Sequence, residues 1–408
     1  MDPVRNPYVP GAGASPPELA GRQDLLNETA VAIQRTLQGR SARGFVATGL
    51  RGVGKTVLLA RVRDMAKEAG FQTCFIEASA DRTLAQVLIP HMRRMTLALD
   101  RAGALSTQAR RALRVLRSFI HTIRLQHHDL QIELDIESES GTADSGDLDS
   151  DLSDLMGALG EAAKARGTGI LICLDEIQFL SARDMGALIM ALHRTSRDGL
   201  PVLFAGAGLP HVVALSGQSR TYAERLFDFP QPGPLSRDDI ADALCLPAER
   251  EGVTFTEAAV DEVFRVTRGY PYFIQEWAWH SWNVAHGPDI HPGDVQVATE
   301  IAITALDKSF FRMRSARLTP REHDYCIAMA ELGPGTHRSG EIAARLGMNV
   351  RNAAALRTSL IRKGLIWSPA FGDTAFTVPL FETYLLRMRD TDARRIDPVI
   401  SLQPLTEE

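Results

Sequence analysis

Short apolar runs alternate with longer amphipathic stretches over the first 230 residues. The runs predict strands, which lie at 44–48, 72–76, 170–174 and 201–205. Between the last two, apolar residues recur at the i, i+3, i+4, i+7 spacing of a helix: Met185, Leu188, Ile189 and Leu192. Short apolar strands that alternate with helices indicate a parallel sheet covered on both faces. The pattern therefore predicts an α/β fold over residues 1–230.

The pattern changes at 230–234, where PQPGP predicts a domain boundary. Beyond it, the sequence predicts helices alone until about residue 365. We expect a helical lid at 231–312, a winged helix-turn-helix at 313–390 and a tail at 391–408.

An insertion at about 104–150 interrupts the first domain. Between Leu125 and Ala163 there is no Lys or Arg, whereas Asp and Glu accumulate. LQIELDI (130–136) alternates and predicts an edge hairpin, and the acidic stretch after it, 137–151, predicts a mobile loop. This acidic segment is either a solvated loop or a docking site for a protein partner.

Composition restricts the class of protein. The chain has 408 residues, of which 45% are hydrophobic and 23% charged, as in ordinary globular proteins. No apolar run approaches the 18 residues of a membrane span, and the first 22 residues lack a secretory leader. The four cysteines are scattered without a CxxC pair, which is typical of a reducing compartment. We expect a cytoplasmic protein without a membrane contact.

GLRGVGKT, residues 49–56, fits the phosphate-loop pattern G-x-x-x-x-G-K-[ST] between a predicted strand and a predicted helix. Backbone N–H groups of such a loop surround a polyphosphate, and the helix N-terminus adds a positive dipole. Lys55 would reach the β- and γ-phosphates, and the Thr56 hydroxyl would bind Mg²⁺. The predicted nucleotide-binding residues are Gly49, Leu50, Arg51, Gly52, Val53, Gly54, Lys55, Thr56 and Val57.

A second motif, GILICLDEIQFL (169–180), ends an apolar strand in two carboxylates. Ionised carboxylates beside a buried strand are costly unless a cation meets them. Because the carboxyl ends of parallel strands share one edge, both motifs should lie together. We expect Asp175 to bind the Mg²⁺ that Thr56 also contacts, and Glu176 to polarise the attacking water. ATP and Mg²⁺ are the predicted cofactors, with Lys55 and Glu176 as catalytic residues.

Arginines precede a fifth strand candidate, LFDF (226–229). A P-loop ATPase often needs an arginine supplied by a neighbouring subunit. Arg225, or Arg220, is the candidate here, and this role would imply a homo-oligomer. The alternative is a surface ion pair with Glu224 or Asp228.

With these motifs, the chain resembles AAA+/STAND-type P-loop ATPases of the origin-recognition-complex-like group over most of its length. PPELAGR (16–22) is similar to the box that lines their adenine pocket, which implies a nucleotide contact for Arg22. GYPYFIQEW (269–277) resembles the Gly-x-Pro motif of their lid, which implies that Pro271 packs near the nucleotide. Two features depart from the group: this lid motif offers no sensor arginine, and GAGLP (206–210) stands where many members have a polar residue.

The C-terminal third predicts a winged helix. Thr319 and Glu322 form a capping box before a helix. SGEIAARLGM and NVRNAAALRTSLIRKGLI predict a helix-turn-helix, and LIWSPAFGDTAFTVPLF predicts the two strands of a wing.

The second of these helices carries a polar stripe. Arg351, Ala355, Thr358 and Arg362 share one face, and Lys363 extends it. This stripe predicts binding to double-stranded DNA through Arg351, Arg362 and Lys363. Winged helices also serve as protein-docking modules, so that alternative stays open.

These features predict an ATP-binding, slowly hydrolysing switch that couples its nucleotide state (ATP or ADP) to DNA binding or to assembly through the winged helix. A nucleotide-gated scaffold for a protein partner is one alternative. A fast oligomeric ATPase motor or loader is the other.

Overall fold

The computed structural model describes residues 1–11, 13–100, 107–126, 137–213, 217 and 223–396. The predicted edge hairpin at 130–136 and Arg220 lie outside the described residues. The chain forms two compact units. The sheet unit contains residues 9–247, and the helical unit contains residues 1–8 together with 248–408. The predicted domain boundaries at 230 and 312 stay predictions.

The sheet unit is built on five parallel strands in the order β2-β3-β4-β1-β5. The strands are β1 (Gly44–Thr48), β2 (Gln72–Glu77), β3 (Ile170–Asp175), β4 (Val202–Gly208) and β5 (Phe227–Asp228). The helices that begin in this unit are α1 (Gln23–Leu37), α2 (Lys55–Glu68), α3 (Leu84–Asp100), α4 (Thr107–Gln126), α5 (Leu148–Ala165), α6 (Ala182–Arg197), α7 (Ala223–Leu226) and α8 (Arg237–Arg250). A 3₁₀ turn, Ile177–Phe179, follows β3.

Every residue of β3 is buried. Its residues alternate between two apolar clusters, since Ile172 and Leu174 join one cluster whereas Leu171 and Cys173 join the other. A strand covered on both faces needs a continuous apolar sequence. The predicted α/β fold with a parallel sheet is therefore confirmed.

β4 is longer than predicted, because it continues from Ala205 to Gly208. Gly206 and Gly208 lack the side chains on which a sequence-based strand prediction depends. Thr48 of β1 lies opposite Gly208, so β1 and β4 end at the same edge of the sheet.

The acidic loop predicted at 137–151 is shorter than expected, because residues 148–151 form the first turn of α5. Glu139 accepts hydrogen bonds from Arg111 and Arg114 of α4. Asp151, in the first turn of α5, is buried and accepts bonds from Ser145 and from the backbone N–H of Gly146. Glu139 and Asp151 thus hold the loop against α4 and α5, whereas Glu137, Asp144 and Asp147 are exposed.

The helical unit has mostly helices. They are α9 (Glu257–Thr267), α10 (Pro271–Val284), α11 (Pro292–Leu306), α12 (Arg312–Ser315), α13 (Pro320–Glu331), α14 (Ser339–Arg345), α15 (Val350–Arg362) and α16 (Phe381–Ile396). The prediction of helices alone before residue 365 is wrong, since β6 (Thr254–Phe255) and β7 (Asp289–Ile290) pair in parallel. Strands of two residues are too short to show a period of two.

The C-terminal helices stand beside a three-stranded sheet. Its strands, β8 (His337–Arg338), β9 (Ile366–Trp367) and β10 (Asp373–Phe376), are antiparallel in the order β8-β10-β9. Thr319 caps the start of α13: its side chain accepts from the Glu322 N–H, while the Glu322 side chain accepts from the Thr319 N–H. α14 and α15 follow β8 directly, before β9 and β10. Across the described ranges, no helix has both the length and the apolar character needed to cross a bilayer.

Candidate functional site

The predicted phosphate loop lies between the end of β1 and the start of α2. Gly52 and Gly54 have φ angles of 85° and 88°, in the region that favours glycine. A Cβ atom on Gly49 would lie 2.6 Å from the carbonyl oxygen of Pro232. The loop therefore needs glycine both for its curvature and for the close approach of the chain after β5.

The Lys55 ammonium group lies inside this loop. It donates to the carbonyl oxygens of Gly49 and Leu50, at 2.9 and 2.7 Å. Burial lowers the pKa of Lys55 to about 8, while the nearby carboxylates of Glu176 and Asp175 act in the opposite direction. The two predicted motifs are thus adjacent in space, as a shared nucleotide site requires.

Asp175, the last residue of β3, is 4% exposed. Its Oδ2 accepts a hydrogen bond from the Thr56 hydroxyl at 2.6 Å, and its Oδ1 accepts from the Glu176 N–H at 2.8 Å. Burial raises the pKa of Asp175, and these two hydrogen bonds only oppose that change. A carboxylate in this state would be stabilised by a cation.

The next residue, Glu176, has a left-handed backbone with φ of 53°. Its Oε1 lies 3.6 Å from a guanidinium nitrogen of Arg51, which belongs to the phosphate loop. Its Oε2 accepts a hydrogen bond from the side-chain amide of Gln178. The predicted water-polarising carboxylate is therefore held from two sides.

Arg22 connects three segments of the sheet unit. It precedes α1, and its guanidinium donates to the carbonyl oxygens of Val53 and Gly233 at 3.3 and 2.6 Å. Burial lowers its pKa, an effect that Asp239 opposes. Arg22 also lines a cavity of about 610 Å³. The other lining residues are 18–21, 23–25, 230–232, Asp239, Asp242 and Leu246.

These residues fit an adenine nucleotide with magnesium. The loop glycines and Lys55 suit a polyphosphate, and the cavity beside Arg22 has the volume of a small-molecule pocket. The Thr56 hydroxyl and Asp175 are adjacent oxygen ligands of the kind that Mg²⁺ binds together with phosphates. In the part of the chain that the structure describes, no group of three or more His, Cys, Asp or Glu could hold a metal.

No described contact joins Arg225 or Pro271, the two other predicted site residues, to the phosphate loop. Arg225 is exposed on α7, just before β5, an edge strand of the sheet. Asp228, its predicted surface partner, pairs with Arg43 at 3.3 Å. Pro271 is the first residue of α10 in the helical unit. The roles of Arg225 and Pro271 stay predictions.

The predicted DNA-binding residues lie on or next to α15. Arg351 and Arg362 are exposed, as are Ala355 and Thr358 between them. Lys363, by contrast, donates to the buried Glu322 at 2.6 Å and to the Arg317 carbonyl oxygen at 2.8 Å. A DNA contact by Lys363 would require breaking this ion pair.

Sequence reasoning did not find Gln178 or Gly233. Gln178 is visible in the sequence only as the second residue after Glu176 in LDEIQ. The Gly233 carbonyl binds Arg22 across 211 positions of sequence. No local pattern indicates such a contact.

The fold and site together are those of a P-loop ATPase. Residues 18–205 match the family model of the AAA ATPase domain. The resemblance to AAA+ ATPases is thus confirmed over these residues. Residues 308–385 match the model of a domain of unknown function (DUF8462). No curated protein matches the chain.

The chain is also similar to solved structures of low sequence identity. The Walker-type ATPase of Pyrococcus abyssi is 15% identical, over 90% of this chain and 96% of that one, with a TM-score of 0.52. Cdc6p of Pyrobaculum aerophilum is 14% identical, over 96% and 99% of the two chains, with a TM-score of 0.48. The Orc1 protein of Aeropyrum pernix, solved in complex with DNA, is 14% identical over 96% and 98%, with a TM-score of 0.47. At such identities, likeness concerns the fold and not the function.

Proposed function

We propose that the protein is an ATP-dependent switch of the origin-recognition-complex-like kind, which binds ATP with Mg²⁺ and hydrolyses it slowly. The observation that carries the proposal is the 2.6 Å contact between the Thr56 hydroxyl and the buried Asp175, with the Lys55 ammonium beside it. Bound between them, magnesium would neutralise phosphate charge. The Glu176 carboxylate would accept the proton of the attacking water.

The test is calorimetric titration of the full chain with ATP in the presence and absence of magnesium. We expect magnesium-dependent binding that is lost in Lys55→Ala. Lys67→Ala, an exposed lysine near the other end of α2, is the matched control and should bind normally. A wild-type protein that takes up no adenine nucleotide would contradict the proposal.

Slow turnover is the second element of the proposal. Oε1 of Glu176 lies 3.6 Å from the Arg51 guanidinium, so this carboxylate oxygen must leave Arg51 before it can accept a proton from water. Phosphate release should therefore be slow in the isolated protein. A fast oligomeric motor is the competing function, and it would show turnover that rises with protein concentration and falls in Arg225→Ala.

The third element is DNA binding through a C-terminal winged helix at 313–390. Support comes from the order of α13, β8, α14, α15, β9 and β10, and from the exposed Arg351 and Arg362 on α15. Lys363 is left out of this interface because Glu322 engages it. A module of this kind could instead bind a protein partner, and the two functions differ in their response to salt.

We expect the double variant Arg351→Ala/Arg362→Ala to weaken binding to duplex DNA about tenfold at low salt. The slope of log affinity against log salt should fall in magnitude by about 2, because each phosphate contact contributes about 0.9. Arg265→Ala is the matched control, since this exposed arginine pairs with Glu262 on α9. An unchanged slope would favour the protein scaffold.

A further inference from the structure

The end of β4 has no polar side chain, and the structure gives a steric reason. A Cβ atom on Gly206 would lie 2.4 Å from Cδ1 of Ile177. A Cβ atom on Gly208 would lie 2.7 Å from Cγ2 of Val212 and 3.0 Å from Oε1 of Gln178. All three distances are shorter than ordinary packing contacts. The two glycines therefore admit the 3₁₀ turn Ile177–Phe179 against the end of the strand.

This close approach places Gln178 between two parts of the site. Its side-chain amide nitrogen donates to Oε2 of Glu176, and its Oε1 accepts from the Leu209 N–H at 3.1 Å. Leu209 directly follows β4. One side chain thus joins the predicted water-polarising carboxylate to the strand that lies between β3 and β1.

Glu176 needs such an anchor. Its φ of 53° is rare for a residue with a side chain and is sterically strained. Residues in this state persist where their surroundings fix them, and they are concentrated at functional sites. Gln178 fixes one carboxylate oxygen, while Arg51 lies 3.6 Å from the other.

We propose that Gln178 is a positioning residue for hydrolysis, which fixes the Glu176 carboxylate against the end of β4 and replaces the polar side chain that β4 lacks. The proposal rests on the proposed ATP hydrolysis. It explains why the polar group is absent after β4: glycines at 206 and 208 let the preceding turn supply it from the other strand.

The test compares Gln178→Met and Gln178→Ala with the wild type in the full chain. Methionine keeps the length of the side chain and removes both hydrogen bonds. We expect kcat to fall about ten- to a hundredfold in both variants, because a displaced catalytic group costs up to this much. The Kd for ATP should stay within about twofold. Gln34→Ala, on an exposed position of α1, is the matched control and should keep the wild-type kcat.

Gly208→Ala tests the same proposal with a substitution at a different residue. Its new methyl group would lie 2.7 Å from Cγ2 of Val212 and 3.0 Å from Oε1 of Gln178, so both side chains must shift and kcat should fall. Combined with Gln178→Met, it should cause little further loss, because both changes break the same link. Gly157→Ala on α5, whose Cβ would meet no atom within 4 Å, controls for a glycine substitution in the same unit.

Three results would overturn the inference. A wild-type kcat in Gln178→Met shows that the hydrogen bonds are not used. A parallel loss of ATP affinity and kcat shows a merely structural role. A wild type that binds ATP but never hydrolyses it removes both this inference and the hydrolysis in the proposed function, whereas normal turnover in every variant removes the inference alone.

Discussion

Each unit of the chain contains a buried carboxyl group near a lysine, but the pKa values of these two groups shift in opposite directions. Asp175 in the sheet unit is 4% exposed, and Glu322 in the helical unit is 3% exposed. Burial raises the pKa of Asp175. Burial acts in the same direction on Glu322, but hydrogen bonds from Lys363, the Thr319 N–H and Ser359 outweigh it and lower its pKa to about 2.

The difference lies in what the chain itself supplies. Glu322 receives a direct ion pair from Lys363 at 2.6 Å and two further hydrogen bonds. Asp175 receives a hydroxyl and a backbone N–H, while the Lys55 ammonium donates to loop carbonyls instead. The chain thus pairs Glu322 fully and Asp175 incompletely, so a cation would stabilise Asp175 further.

The largest effect is expected for Glu322→Gln. It leaves the Lys363 ammonium without its counter-charge and should lower the free energy of unfolding by about 3 kcal/mol at pH 7. Because the folded pKa is below the ordinary value of 4.5, this contribution is present above pH 4.5 and disappears as the pH falls towards 2.

Urea unfolding of the full chain at pH 7 and at pH 3 measures this difference. Glu68→Gln, which removes an exposed ion pair with Arg61, is the control and should cost less than about 0.5 kcal/mol. Equal stability of Glu322→Gln and wild type at pH 7 would remove the contrast between the two carboxylates.

Asp175→Asn should have the opposite effect: it should lower the affinity for ATP without lowering the stability of the fold. Asparagine keeps an acceptor for the Thr56 hydroxyl and removes a charge that burial disfavours, so the nucleotide-free protein should unfold at the same temperature or higher. Its affinity for ATP with magnesium should fall about a hundredfold, or ~2.7 kcal/mol. Thermal unfolding without nucleotide and calorimetry with magnesium measure the two quantities. Destabilisation like that of Glu322→Gln would make Asp175 a structural acid.

The smallest expected effect is the pH dependence of binding. Polyphosphate favours the protonated form of Lys55, whose pKa is about 8. ATP affinity should therefore be constant below pH 8 and fall above it, by up to about tenfold per pH unit. Lys55→Arg should show no such fall, because a guanidinium stays charged. Fluorescent nucleotide titrations from pH 7 to 9.5 distinguish the two, and a flat wild-type profile would contradict the assignment.

The sheet unit was predictable where the sequence signal is local. β3 needs six consecutive buried residues, so an apolar run marks it. The phosphate loop is likewise one continuous motif. β6 and β7 were not predictable, because two residues carry no periodicity and their pairing partner is more than thirty positions away.

The site was predictable only in part, because several of its contacts join residues that are far apart in the sequence. Helical spacing places Lys363 on an exposed face of α15, but it says nothing of Glu322 on α13, which engages it. In the sequence, the GAGLP stretch is only a departure from the polar residue that many related ATPases have at this position. In the structure its glycines allow Gln178 to approach, and that requirement is visible only in three dimensions.

The Pro-rich stretch after β5 restricts where the chain can be cut to give a functional fragment. The Thr48 N–H donates to the Pro230 carbonyl, Pro232 faces Gly49, and the Gly233 carbonyl binds Arg22. A fragment cut at residue 230, where the sequence suggests a clean end, would lack a wall of the pocket and the acceptor for its arginine. An autonomous fragment that retains ligand uptake must extend at least into α8.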